Sequence, residues 1–256
     1  CRRRGGGRRR RGHPPTAAAA PMKAVAAAVA GVGAGYWFTA SQWSQALGRF
    51  PFRAQTTEPV VALTFDDGPN EPWTSRLADV LAAHQVRATF FQPGACAERY
   101  PDTTRRLVAE GHTVGNHSFH HDIRRLVRRP DLAEEIERTQ EVLAPLVGGT
   151  PALYRPPWLF RHPGLFAELD AHGLTPVGGE FCHPLEVFQP DPRILVDGIL
   201  RRARPGLIIV CHDGYNATGA PRDATIAAID RAIPLLKQRG FGFATVDDLL
   251  GVPRLQ

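Results

Sequence analysis

Two adjacent carboxylates, Asp66 and Asp67, follow the apolar run Val60–Phe65 and precede Gly68-Pro69. Carboxylates at the end of a buried strand are costly unless a metal or cation compensates them. Asp-Asp-Gly-Pro can also be no more than a turn. A second cluster, Asn116-His117-Ser118-Phe119-His120-His121, sets His117 and His121 four residues apart. On one helical turn their imidazoles would face the same way, and His120 would fall off that period. Two neutral imidazoles, one carboxylate and positions left for water make a catalytic metal arrangement. The plainer alternative is a polar loop with surface histidines. Tyr154-Arg155-Pro156-Pro157-Trp158 offers an arginine that can pair with a nearby carboxylate in fork geometry. Leu207–Cys211, followed by His212-Asp213-Gly214, sends a histidine out of an apolar strand as a candidate proton donor. Each motif alone has a bland reading. Together they point to a catalytic metal site with proton-transfer groups beside it.

The elements that would position these residues alternate in type. Short β-branched runs at 60–65, 88–91, 113–115, 152–155, 175–177, 207–211 and 242–245 read as strands. Helical stretches are expected near 74–83, 103–110, 132–143, 164–171, 193–202 and 225–238, with Gly111, Gly173 and Gly240 where helices should stop. This alternation predicts an α/β fold with a parallel sheet. The expected form is a single small or distorted (β/α) barrel with about seven strands; a doubly wound open sheet is the alternative. Neither G-x-G-x-x-G after the first strand nor a P-loop is present. The four motifs fall at the carboxyl ends of predicted strands. Those ends share one face in either architecture, so Asp66, Asp67, His117, His121, Arg155 and His212 should converge.

The chain has 256 residues, enough for one large domain. Its formal charge is +6, but residues 1–21 carry seven arginines and no acid. Without them the charge falls to −1, so the folded part has no electrostatic case for nucleic acid. Residues 1–21 read as a low-complexity Arg/Gly/Ala tail, with Met22 a candidate start. Residues 22–40 place an apolar run behind Lys23 and read as a signal peptide or membrane anchor. Residues 41–57 read as a linker and 58–256 as the catalytic domain. The cysteines, Cys1, Cys96, Cys182 and Cys211, show no framework spacing and are expected as small buried hydrophobes.

Over about residues 58–250 the chain resembles the polysaccharide deacetylases, carbohydrate esterase family four, which include the nodulation chitooligosaccharide deacetylase. Thr64-Phe-Asp-Asp-Gly-Pro69, His117-Ser-Phe-His-His121, Arg155-Pro-Pro-Trp158 and Ile208-Ile-Val-Cys-His212 carry the resemblance. It implies Asp66 as general base, with Arg155 orienting it, and Asp67, His117 and His121 as metal ligands. It further implies His212 as general acid, and the Trp158 N–H as an oxyanion donor. Ile208 and Val210 would line the pocket for the acetyl methyl. The expected ion is zinc, with cobalt, nickel or manganese compatible with the same donors. Two departures stand out. Leu159 occupies a position where the family often has Gly, and the usual Asp-Trp has its nearest match in Glu180-Phe181. Glu180 is therefore the expected partner of His212, with Asp213 or no partner at all as the alternatives.

The resemblance implies removal of N-acetyl or O-acetyl groups from a carbohydrate polymer or oligomer such as cell-wall glycan or chitin. The partner is that glycan, with no nucleic acid, and a membrane only through the N-terminal segment. A monomeric catalytic domain outside the cytoplasm, anchored or secreted, is expected. Two alternatives are an inactive carbohydrate-binding relative and a small-molecule amidohydrolase on the same fold. Both histidines argue against the second. The presence of both a base and an acid argues against the first.

Overall fold

The computed structural model describes residue 31 and residues 33–41 and 43–256. The 1–21 tail and most of the 22–40 segment therefore lie outside the described residues. Phe38–Gln256 forms one compact unit. No helix among the described residues is long and apolar enough to cross a membrane.

Eight strands are present among the described residues: β1 Val60–Asp66, β2 Thr89–Gln92, β3 Thr113–Asn116, β4 Leu153–Tyr154, β5 Thr175–Pro176, β6 Glu180–Phe181, β7 Ile208–His212 and β8 Gly242–Phe243. They run in the order β5-β4-β3-β2-β1-β7-β6, with β8 also on β1, and every pairing is parallel. The helices are α1 Trp73–Ala83, α2 Gly94–Arg99, α3 Pro101–Ala109, α4 Ile123–Leu126, α5 Arg129–Val147, α6 Pro163–Ala171, α7 Pro192–Arg202, α8 Asp223–Gln238 and α9 Val246–Leu250. The six helices expected from sequence are present within a few residues. Gly111, Gly173 and Gly240 all take left-handed backbone just after helices.

The sheet has to curl. Seven strands laid flat would separate β5 from β6 by about 29 Å. Only Val177, Gly178 and Gly179 join them, and four residue steps reach at most about 14 Å. The two edge strands therefore approach each other without pairing, giving a barrel with an open seam. This is the distorted barrel expected from sequence, with β6 as a two-residue strand the pattern did not show.

Strand burial follows the pleat. From β1, Val61, Leu63 and Phe65 face a large cluster that includes Leu77 and Leu81 of α1 and Ile229 and Ile233 of α8. Ala62 faces inward with Phe91, Leu153, Val177 and Ile208, and α9 adds Val246 to that cluster. Both faces of β1 are buried, which is why it reads as a continuous apolar run.

Residues 41–57, expected as a linker, are part of the fold. The Ala54 N–H donates to the Gly206 carbonyl, Ile208 N–H to Phe52, and Gly178 N–H to Pro51. Residues 51–54 thus bond both to the seam and to the start of β7. Phe50 is fully buried, beneath the guanidinium of Arg161 at 4.5 Å. That guanidinium donates to the Ser41 carbonyl. A chain starting at residue 58 should therefore be less stable than one starting at residue 38. The loss of Phe50 alone should cost about 3–5 kcal/mol. Thermal unfolding of the two truncations checks this; equal stability would restore the linker reading.

Candidate active site

β1 ends at Asp66, and the next residue, Asp67, turns into left-handed backbone at φ 76°. That turn is held from β7. The Gly68 N–H donates to Asp213 Oδ1 at 3.1 Å and the Thr74 hydroxyl to Oδ2 at 2.6 Å. A Cβ on Gly68 would lie 1.9 Å from Asp213, so only glycine fits there. Burial pushes the Asp213 carboxyl up to about 7. Both Asp213 oxygens face the turn, which removes Asp213 as the partner of His212.

Asp66 is buried and pairs with Arg155 Nη1 through Oδ1 at 2.7 Å. Arg155 is fully buried. Its guanidinium also donates to Thr64 Oγ1 and to the Gly178 carbonyl, and lies 4.1 Å from the Phe91 ring centroid. One side chain therefore ties β1 to the seam and fixes one oxygen of Asp66.

His117 and His121 converge on Asp67, as their spacing suggested, but not through a helical turn. Residues 117–121 form a loop in which Ser118 and His121 take φ of 67° and 54°. His121 Nε2 lies 3.0 Å and His117 Nε2 3.4 Å from Asp67 Oδ1. That oxygen is buried and makes no hydrogen bond. The His117 Nδ1–H donates to the Arg155 carbonyl at 2.6 Å, which leaves the Nε2 lone pair for a ligand. One ligand atom from each residue lies within 4.8 Å of the others. Burial alone would raise the Asp67 pKa. The His121 and His117 imidazoles outweigh it and hold the carboxylate well below its usual range. Two imidazole nitrogens and an unpartnered carboxylate oxygen facing one point fit a divalent ion of the zinc type. Replacing His117 or His121 with Ala should reduce bound metal from about one ion per chain to near none, measured by metal analysis of the purified protein.

His212 ends β7, and its Nδ1 lies 2.6 Å from Glu186 Oε2. Glu186 is buried in a short turn, Glu186–Phe188, where it also accepts from the His212 N–H and the Thr225 hydroxyl. Burial alone would lower the His212 pKa. The Glu186 carboxylate, with Asp67 and Asp66 beyond it, outweighs burial and pushes it up to about 10.

Glu180 is not the partner. It pairs in register with Ile209, three residues before His212 and about 10 Å away along the strand. Its carboxylate instead meets Arg204 at 2.6 Å and Arg202 at 3.5 Å. Glu186 takes that place; in sequence it is marked only as an acidic residue in Leu185-Glu-Val-Phe188, with nothing local to pair it with His212. Two further expectations shift. Ile208 belongs to the inward apolar cluster, and neither Ile208 nor Val210 lines the cavity.

A cavity of about 250 Å³ joins these groups. Asp66, Asp67, His117, His121, Trp158, Glu186 and His212 line it, together with Leu159, Phe181, His183 and Tyr215. Trp158 and Leu159 take consecutive left-handed φ of 54° and 53°. That backbone accounts for glycine being at home at position 159 and for the cost of a leucine there.

Residues 53–177 match the polysaccharide deacetylase family model. The chitooligosaccharide deacetylase of Sinorhizobium fredii is 37% identical over 196 residues, covering 74% of this chain and 91% of that one. A solved peptidoglycan N-acetylglucosamine deacetylase superposes with a TM-score of 0.75 at 28% identity, covering 80% of this chain and 94% of that one. The chain belongs to the polysaccharide deacetylase family, a class of hydrolases. The fold is also shared by a pseudoenzyme from Bacillus anthracis (TM-score 0.71, 20% identity, 78% of this chain and 68% of that one). Fold alone therefore does not establish catalysis, and the case rests on the side chains in the cavity.

Proposed function

We propose that this chain hydrolyses acetyl groups from the amino sugars of a glycan outside the cytoplasm, the substrate being of the chitooligosaccharide or peptidoglycan type. One observation carries the reading. A carboxylate fixed by a buried arginine and a histidine fixed by a buried glutamate share one cavity with the Asp67–His117–His121 cluster. Pure carbohydrate binding requires no such pair of proton-transfer groups.

Asp67, His117 and His121 would hold a divalent ion, with zinc expected and cobalt, nickel or manganese acceptable to the same donors. When bound, that ion supplies Lewis-acid polarisation of the acetyl carbonyl and a more acidic water. Asp66 accepts the proton of the attacking water through the oxygen that Arg155 leaves unpaired. The Trp158 N–H is assigned to the developing oxyanion. His212, protonated through Glu186, donates to the departing amine, so that acetate and a free amino sugar result. Ile208 and Val210 act as core beneath the site rather than as acetyl contacts.

Acetate release from chitin oligomers, peptidoglycan and acetylated xylan tests the reading. Release from an amino-sugar glycan is expected. Release from xylan alone would move the activity to O-deacetylation, and none from any polymer would favour a binding role.

A further inference from the structure

The two histidines of the candidate metal centre are held differently. The His117 ring is fixed by its own hydrogen bond to the Arg155 carbonyl. His121 Nδ1 is buried and has no hydrogen-bond partner among the described residues. Apart from the Nε2 approach to Asp67, its ring meets the His117 ring at 5.1 Å and Trp158 edge-on at 4.2 Å between centroids, and Trp158 is itself 42% exposed. The direction of His121 Nε2 must therefore come from the backbone of residues 118–121.

That backbone is irregular, with left-handed Ser118 and His121. Such conformations persist only where the surroundings over-determine them. The element that does so is Glu135 of α5, whose side chain is 1% exposed. Glu135 Oε2 accepts from Ser118 Oγ at 2.7 Å, from the Phe119 N–H at 3.0 Å and from the His120 N–H at 2.7 Å. Oε1 pairs with His120 Nδ1 at 2.5 Å, with Arg125 3.6 Å away. Successive N–H groups aimed at one oxygen form an anion-binding nest, here filled by the protein's own carboxylate. Burial alone would raise the Glu135 pKa, but the His120 and Ser118 donors outweigh it and keep the carboxylate ionised. The helix is anchored in turn, since Asn116 at the end of β3 donates to the Ile136 carbonyl.

We propose that Glu135 is a positioning residue for the metal centre: it presets the 118–121 loop so that His121 Nε2 faces Asp67 before any ion binds. The proposal rests on the metal reading of Asp67, His117 and His121. Its side-chain hydrogen bonds all fall on the residues between the two histidines, and they replace the orienting hydrogen bond that His121 lacks.

The test compares wild type, Glu135→Ala and Glu135→Gln after chelation. Each is titrated with Zn²⁺ against a competing chelator and with Co²⁺ by visible absorption, with thermal unfolding as the check on folding. Glu135→Ala should weaken metal binding by about 100-fold and alter the Co²⁺ spectrum. Glu135→Gln keeps an acceptor oxygen but loses the charge, and should weaken binding by about 10-fold. If Glu135→Ala does not fold, the isosteric Gln variant decides. A folded variant with wild-type affinity and an unchanged Co²⁺ spectrum overturns the inference alone. A wild type that binds neither ion overturns the metal reading and this inference together.

Discussion

Asp66→Asn is expected to lower kcat by about 10²–10⁴ while fold and metal content stay at wild-type levels. The carboxylate has one oxygen committed to Arg155 at 2.7 Å and the other toward the cavity. An amide fills the same space but cannot take a proton. Asp67, one residue on, turns into the ligand cluster and accepts the Asn216 N–H through Oδ2. The two neighbours therefore separate under mutation: Asp67→Asn should lose metal, and Asp66→Asn should not. Metal analysis beside acetate release distinguishes them. Near wild-type turnover in Asp66→Asn would assign the base to another group.

The second large effect concerns Glu186. Burial disfavours the His212 imidazolium, and the Glu186 carboxylate 2.6 Å away reverses that to about 10. Glu186→Gln removes the charge and leaves burial dominant, so the pKa falls. An acid must be protonated to donate, so the basic limb of the pH–rate profile should move to lower pH. Each unit by which the working pH exceeds the new pKa then costs about tenfold in the protonated fraction. Metal content should not change. Glu180→Gln serves as the control, because its carboxylate is engaged by Arg202 and Arg204. A shifted limb in Glu180→Gln with none in Glu186→Gln would reverse the assignment.

The contrast between Glu180 and Glu186 shows where the sequence stops being readable. Asp66, Arg155 and His212 lie at or just past the ends of strands, and the closing face of a parallel sheet follows from their position. The segment 177–190 has no such frame. β6 is two residues long, too short for a period, and its register on β7 is set by tertiary pairing. The Glu186–Phe188 turn folds back against α8 through Gln189, which bonds to Thr225 and Ala224. Nothing local encodes that return.

His117 and His121 were legible for a reason that does not hold. Four-residue spacing suggests a helical turn, whereas the loop reaches the same convergence through two left-handed residues and a buried carboxylate 14 positions beyond His121. Residues 41–57 misled in the opposite way. Their apolar content is low and scattered, so they read as a linker. Their backbone N–H and C=O groups nonetheless bond to Gly178, Gly206 and Ile208, a role that composition does not reveal.

The central claim is that Asp67, His117 and His121 hold one ion on which glycan deacetylation depends. The direct measurement is acetate release from an N-acetylated chitin oligomer by chelated protein as zinc is returned stepwise. Activity should be absent in the stripped protein and rise to a plateau at about one ion per chain. Full activity in metal-free protein, or a saturated site that releases no acetate from any amino-sugar glycan, would contradict it.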